Sequence, residues 1–215
     1  MAIVTGGASG IGKATCERLA RDGFRVAVAD RDELGAHAVA DAVGGHAFVI
    51  DVTDESALVA LFERALEAFG RLDALATLAG VSDPTPFMNV SANSLRRVYD
   101  VNVTGTILCV REAASRMPSG GRICTLVGTA RDAPPEPNAT IADAAGTGAL
   151  IAATRYAARV LAERGITVNG VARHPLSEGP ASVAALADAI AWLLSPAASF
   201  VRGEIITVDP APTRE

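Results

Sequence analysis

Short runs of β-branched and other apolar residues alternate along the chain with longer segments in which apolar residues recur at helical spacing. The short runs predict strands near residues 2–5, 25–29, 46–50, 73–78, 122–127, 166–171 and 204–208. The longer segments predict helices near residues 11–22, 32–43, 54–69, 91–116, 141–164 and 181–194. Because strands that alternate with helices build a parallel sheet with helices on both faces, we expect a three-layer, doubly wound α/β fold.

The chain has 215 residues, 50% of them hydrophobic, which is enough to bury one large core. No linker or repeat interrupts the pattern, so a single domain over residues 1–215 is predicted. The formal net charge of -5 and the scattered arginines give no basic surface for nucleic acid. No apolar run approaches the ~20 residues that cross a bilayer, and no signal segment begins the chain. We therefore expect a cytoplasmic protein without nucleic-acid or membrane partners.

The cysteines and histidines indicate neither a disulfide nor a metal site. The cysteines are odd in number, far apart and set among apolar neighbours, so buried reduced thiols are expected. The histidines also lack the spacing of metal ligands. These residues are Cys16, Cys109, Cys124, His37, His46 and His174.

A proline-rich segment, RDAPPEPN at residues 131–138, is the one sharp break in composition. Its prolines disfavour both helix and central strand, so a loop is expected where the fifth strand ends. In doubly wound sheets, ligands bind outside the carboxyl ends of the strands, which places this loop on the functional rim.

The segment AIVTGGASGIGKAT, residues 2–15, predicts a strand, a glycine-rich turn and a helix in direct succession. Gly6, Gly10 and Gly12 let backbone N–H groups approach a pyrophosphate, and the helix N-terminus adds partial positive charge. Asp30 ends the second strand eighteen residues beyond Gly12, where a carboxylate accepts hydrogen bonds from a ribose. These features predict a dinucleotide-binding domain of the Rossmann type.

Further motifs follow in a fixed order: VIDVTD at 49–54, LAG at 78–80, DVNVTG at 100–105, GITVNGVA at 165–172 and SPAASFVRGEIITVD at 195–209. Together with TGGASGIG they make the sequence resemble the short-chain dehydrogenase/reductase family over nearly its whole length. The resemblance implies an NAD(P)-dependent oxidoreductase. The cofactor contacts that it and the motifs imply are Thr5, Gly6, Ser9, Gly10, Ile11, Gly12, Asp30, Arg31, Asp51, Val52, Ala79 and Gly80.

The acid at Asp30 favours NAD, because its charge would repel the 2′-phosphate of NADP. The neighbouring Arg31 weakens this preference, since a guanidinium can pair with that phosphate. We therefore predict NAD as the cofactor and regard NADP as the less favoured alternative.

The resemblance also implies a tyrosine and a lysine four residues later for proton transfer, together with a serine and an asparagine. Asn102 matches the asparagine. By register, Asp143 stands at the tyrosine position, Thr147 at the lysine position and Gly128 at the serine position, with the hydroxyl of Thr129 one residue away. The sole lysine of the chain is Lys13, and no Tyr-x-x-x-Lys sequence exists.

Two functions remain open at this stage. The first is a degenerate family member that binds NAD but is catalytically impaired and acts as a structural or regulatory subunit. The second is an active alcohol dehydrogenase or carbonyl reductase that uses an unusual acid or base near Asp143 and Thr129. A free aspartic acid has a pKa of about 3.9, so Asp143 would donate a proton at pH 7 only if it were deeply buried. Ionised, it either favours the positive nicotinamide of NAD⁺ or merely complements the helix dipole.

Two further expectations concern the surroundings of the site. The segment HPLSEGP, residues 174–180, leads almost directly into the next helix, so the family's lid over the substrate is expected to be absent. The family pairs its two longest helices between subunits, and the corresponding helices here carry extended apolar faces. A homodimer, a homotetramer or a mixed assembly with an active relative is therefore predicted, while the substrate stays undefined.

Overall fold

A computed structural model describes residues 1–129, 140–173 and 179–209. Its strands are β1 (Ala2–Thr5), β2 (Val26–Asp30), β3 (His46–Val49), β4 (Ala74–Thr77), β5 (Arg122–Thr129), β6 (Thr167–Arg173) and β7 (Ile205–Val208). Its helices are α1 (Gly10–Arg21), α2 (Glu33–Val43), α3 (Glu55–Phe69), α4 (Ala92–Val98), α5 (Thr106–Arg116), α6 (Ile141–Leu161) and α7 (Pro180–Leu193). The proline-rich segment 131–138 and His174 lie outside the described residues.

All seven strands form one parallel sheet in the order β3-β2-β1-β4-β5-β6-β7. The expectation of a doubly wound α/β fold is thus confirmed. The strand order reverses between β1 and β4, and the crevice at such a point is where ligands bind in open parallel sheets.

Apolar side chains cover both faces of the sheet and form the two halves of the core. On one face, α1, α2 and α7 pack through residues such as Leu19 and Ile190. On the other, α3, α5 and α6 pack through residues such as Phe62, Cys109 and Leu161. Because both faces are covered, the loops at the carboxyl edge of the sheet are left to build a site.

The predicted helix over 91–116 is three consecutive pieces, α4, a π-helical segment (Tyr99–Gly105) and α5. The π-helix has a wider turn than the α-helix, and such segments often occur at functional sites. Asn102, the predicted site asparagine, lies in this segment.

Cys16, Cys109 and Cys124 are buried and free of disulfides, as expected. Burial raises the pKa of both Cys16 and Cys109 to about 12. Within the described ranges, no helix has the length and apolar character to cross a membrane.

Candidate functional site

A groove of about 410 Å³ opens at the carboxyl edge of the sheet, around the point where the strand order reverses. It passes over the ends of β2, β1, β4 and β5. It is lined by Gly6, Ser9, Gly10, Ile11, Gly12, Ala29, Asp30, Arg31, Asp32, Ile50, Asp51, Val52, Leu78, Ala79, Gly80, Val81, Val101 and Leu126.

The turn between β1 and α1 requires its glycines. A Cβ on Gly12 would lie 1.8 Å from the carbonyl oxygen of Gly6, and a Cβ on Gly6 would lie 2.6 Å from the backbone nitrogen of Ala79. Ser9, the residue before α1, makes no side-chain capping hydrogen bond. The first N–H groups of α1 are therefore left for an anionic ligand such as a phosphate.

Asp30 is held in place at the end of β2. Its Oδ2 accepts a hydrogen bond from the Ala8 N–H at 3.0 Å, and its Oδ1 accepts one from the Asp32 N–H at 3.0 Å. Each carboxylate oxygen keeps a further lone pair that can accept from a ribose hydroxyl. The glycine turn, the helix N-terminus and Asp30 thus fit a dinucleotide along one groove.

Most of the sequence-predicted cofactor residues meet in this groove. Thr5 is the exception, because it is 1% exposed and does not line it. Sequence reasoning had no motif for Val81, Val101 and Leu126, which add apolar surface on the β4–β5 side. Their only signal in the sequence was a position within a strand (Leu126), just beyond a strand (Val81) or on the helical segment that follows (Val101).

Asn102 fixes the loop that follows β4. Its Nδ2 donates to the Val81 carbonyl at 2.8 Å, and its Oδ1 accepts from the Val81 N–H at 2.8 Å. The Asn102 side-chain amide therefore bonds both the N–H and the carbonyl of Val81, a residue of the groove wall. On the same loop, Arg97 donates to the Ser82 carbonyl at 2.9 Å.

Asp143 lies in the first turn of α6, beside this loop. Its Oδ2 accepts hydrogen bonds from the Thr140 hydroxyl at 2.8 Å and from the Ser82 hydroxyl at 3.0 Å. The Asp143 N–H in turn donates to Thr140, the N-cap residue, at 3.3 Å. Ser82, which no sequence motif had indicated, thus joins the groove loop to α6.

Gly128 and Thr147 lie against each other. Gly128 has a φ of +95°, and a Cβ added to it would lie 2.5 Å from the Thr147 Oγ1. The register of β5 against β6 also shifts between Leu126 and Thr129. The Thr147 hydroxyl therefore occupies the space that a side chain at position 128 would need.

Thr129 ends β5 and is in register with Arg173 of β6. The role predicted for its hydroxyl stays a prediction. Among the described residues, no cluster of histidine, cysteine and carboxylate side chains could hold a metal ion.

Residues 6–185 match the family model described as enoyl-(acyl carrier protein) reductase. The chain is 38% identical to the cis-4-hydroxycyclohexanecarboxylate dehydrogenase of Sinomonas cyclohexanicum, over 97% of this chain and 94% of that protein. It is 36% identical to the 2,5-dichloro-2,5-cyclohexadiene-1,4-diol dehydrogenase of Sphingobium indicum, over 96% and 94% of the two chains.

Solved structures of dehydrogenase/reductase proteins superpose closely on this chain. A double mutant of a Serratia marcescens short-chain dehydrogenase/reductase superposes with a TM-score of 0.88 at 31% identity, covering 97% of this chain and 96% of that one. A dehydrogenase/reductase from Sinorhizobium meliloti superposes with a TM-score of 0.87 at 30% identity, covering 97% and 93%. The fold and the sequence thus point to the same group of proteins.

Proposed function

The chain belongs to the short-chain dehydrogenase/reductase family, and from that premise we propose that it binds NAD in the groove but transfers hydride poorly, as a structural or regulatory subunit. The observation that carries this proposal is the contrast between the two halves of the groove. The half around Gly6, Gly12 and Asp30 keeps what a dinucleotide needs. The half around Asp143, Thr147 and Gly128 has no tyrosine followed four residues later by a lysine.

The first half supports NAD over NADP. The helix N-terminus takes the pyrophosphate, and the Asp30 carboxylate takes the adenosine ribose and repels a 2′-phosphate. Arg31 is exposed beside it and lines the same groove. A guanidinium there keeps NADP as the weaker second ligand.

When bound, the nicotinamide ring accepts or supplies the hydride. The chain must then move a proton to or from the substrate oxygen. It has few side chains suited to this step. The Thr147 hydroxyl carries no positive charge, and Gly128 has no hydroxyl to orient a substrate. The Asp143 carboxyl accepts hydrogen bonds from two hydroxyls, and its side chain is shorter than the phenol of a tyrosine.

The segment that joins β6 to α7 supports the same proposal. Only residues 174–179 separate the end of β6 from the start of α7. The alignment with the Sinomonas dehydrogenase runs over 241 positions, more than the 215 residues of this chain. That relative therefore has segments without a counterpart here. We propose that a lid after β6 is among those segments, and a chain without one would exclude water poorly and hold a substrate weakly.

One observation favours an active enzyme as the second candidate. The Asp143 carboxyl is joined to the groove loop through a hydrogen bond from Ser82. The alternative activity is therefore that of an alcohol dehydrogenase or carbonyl reductase, with Asp143 as the acid or base and the Thr129 hydroxyl as a substrate contact. A carboxylate, with a pKa of about 4, is a much weaker base than a phenolate, with a pKa of about 10, which makes slow turnover the expectation.

A subunit role also requires a partner, and the exposed apolar residues suggest where it binds. Ile107 on α5 and Tyr156 and Val160 on α6 are large and exposed. Such surface is commonly covered in an assembly. We propose a homodimer, a homotetramer or a mixed assembly with an active relative.

Two measurements test the proposal. Calorimetric titration should show one NAD site per chain, weaker binding of NADP, and loss of NAD affinity in Asp30→Ala. Absorbance at 340 nm should then show no hydride transfer over a panel of alcohols and carbonyls that includes cis-4-hydroxycyclohexanecarboxylate. Absence of dinucleotide binding would refute the first half of the proposal. Turnover that Asp143→Ala abolishes would refute the second half and establish the dehydrogenase alternative.

A further inference from the structure

We infer that Asp143 makes the groove select the oxidised form of its ligand, so that the protein binds NAD⁺ more tightly than NADH. This rests on the proposed function, because it assumes that a nicotinamide dinucleotide occupies the groove. A binding protein with this property responds to the redox state of the dinucleotide pool, which is a role that needs no turnover.

The two ends of the groove differ, and this difference determines which end would receive the nicotinamide. The pyrophosphate belongs at the N-terminus of α1, and Asp30 holds a ribose on the β2 side. The other half of the dinucleotide must therefore extend past the strand-order reversal, toward β4 and β5. There the groove wall is formed by Val81, Val101 and Leu126.

Asp143 borders this half of the groove. Its Oδ2 is 3.0 Å from the hydroxyl of Ser82, the residue after the groove-lining Val81. One helical turn later, Thr147 lies against Gly128, two residues beyond the groove-lining Leu126. The first turn of α6 is thus next to the groove at both β4 and β5.

The side chain of Asp143 has no cationic partner among the described residues. Its side chain accepts from the neutral hydroxyls of Ser82 and Thr140, and the ion pairs found among the described residues do not include it. Arg97, the cation attached to the same loop, is paired with Asp83 at 3.5 Å. The negative charge of Asp143 therefore acts on whatever lies in this half of the groove.

The nicotinamide ring carries a positive charge in NAD⁺ and none in NADH, and the rest of the molecule is the same. A partly solvated carboxylate beside that half of the groove should favour the oxidised form by roughly ten-fold in Kd. Because the attraction is between charges at a solvated site, it should weaken as salt is added.

The competing interpretation is that Asp143 serves only to hold Ser82 and the first turn of α6. Two variants separate the interpretations. Asp143→Asn keeps an oxygen that accepts from both hydroxyls but removes the charge. Ser82→Ala removes one of the two hydrogen bonds and keeps the charge, so it is the matched control.

The experiment is calorimetric titration of the wild-type protein and both variants with NAD⁺ and with NADH. We expect a roughly ten-fold preference for NAD⁺ in the wild type and in Ser82→Ala, and a ratio near one in Asp143→Asn. Equal or tighter binding of NADH by the wild type would overturn the inference, and so would an undiminished preference in a folded Asp143→Asn. If Asp143→Asn fails to fold, Asp143→Glu is measured instead and must still bind NAD⁺ more tightly than NADH. In that case the ratio of the NADH and NAD⁺ dissociation constants of the wild type decides whether the inference holds. Failure to bind either form would instead contradict the proposed function, which distinguishes the two failures.

Discussion

At the scale of single residues, Gly128 and Thr147 fit closely against each other. The Thr147 hydroxyl lies where a side chain at position 128 would begin, and the positive φ of Gly128 suits glycine alone among the common residues. A serine and a lysine therefore cannot be restored at these positions independently of each other.

This fit predicts a coupled response to mutation. Gly128→Ser should destabilise the protein by about 1–3 kcal/mol, because it adds backbone strain and a contact with Thr147 that is too short. Thr147→Ala should recover part of that loss by removing the contact but not the strain. Urea unfolding of the two single variants and the double variant measures the coupling. Strictly additive effects would show that the two residues do not press on each other.

Residue identities in the site could be predicted from the sequence, but their contacts could not. Register against GITVNGVA places Asp143 at the tyrosine position and Thr147 at the lysine position, and this assignment stays a prediction. The Ser82–Asp143 hydrogen bond links residues far apart in the sequence, through a loop whose path no periodicity describes. Thr5 was assigned to the cofactor because it precedes the glycine turn, yet it lies in the buried layer below the groove.

At the scale of elements, α6 begins at a well-formed cap. Thr140 accepts from the Asp143 N–H and donates to the Asp143 carboxylate. A cap of this kind satisfies one of the free N–H groups of the first turn, and the nearby negative charge complements the helix dipole. Because Thr140 fixes the start of α6, it also keeps Asp143 beside Ser82.

Thr140→Ala should therefore lower the free energy of unfolding by about 1 kcal/mol through loss of the cap. Thr140→Ser keeps the hydroxyl and should stay close to the wild type. Chemical denaturation of the three proteins provides the comparison. If the alanine and serine variants were equally stable, the hydroxyl would not be contributing to the helix.

Helical spacing predicted the elements but not their irregularities. The segment 91–116 has continuous apolar spacing, so a single helix was expected. The π-helical segment (Tyr99–Gly105) is itself helical and continuous with its neighbours, so the apolar spacing alone did not separate it from them. The sixth strand, expected to end near residue 171, continues to Arg173, because pairing with β7 extends it.

At the scale of the whole molecule, an ionic cluster joins α3 to α5. Arg111 donates to Glu112 at 2.7 Å and to Glu55 at 2.8 Å, and Arg116 also pairs with Glu112. Burial alone would raise the pKa of Glu112, but hydrogen bonds from Arg111 and Arg116 outweigh it and hold that pKa below its usual range.

A lowered pKa in the folded state means that ionised Glu112 adds stability above its unfolded pKa of about 4.3. That contribution is lost as the pH falls through the lower pKa of the folded state. Glu112→Gln should therefore be less stable than the wild type at pH 7, and the difference should shrink below pH 4. Thermal unfolding from pH 3 to pH 7 tests this, and a difference independent of pH would contradict it.

The most direct test of the account is the rate of NADH formation at 340 nm by protein that calorimetry has shown to be saturated with NAD⁺, over the alcohol panel. We predict saturable binding with no rate above the protein-free blank, because the groove is retained and a tyrosine–lysine pair is not. A rate near 1 s⁻¹ or above, within the ordinary range for enzymes, would contradict the account and show that the chain has another way to move the proton.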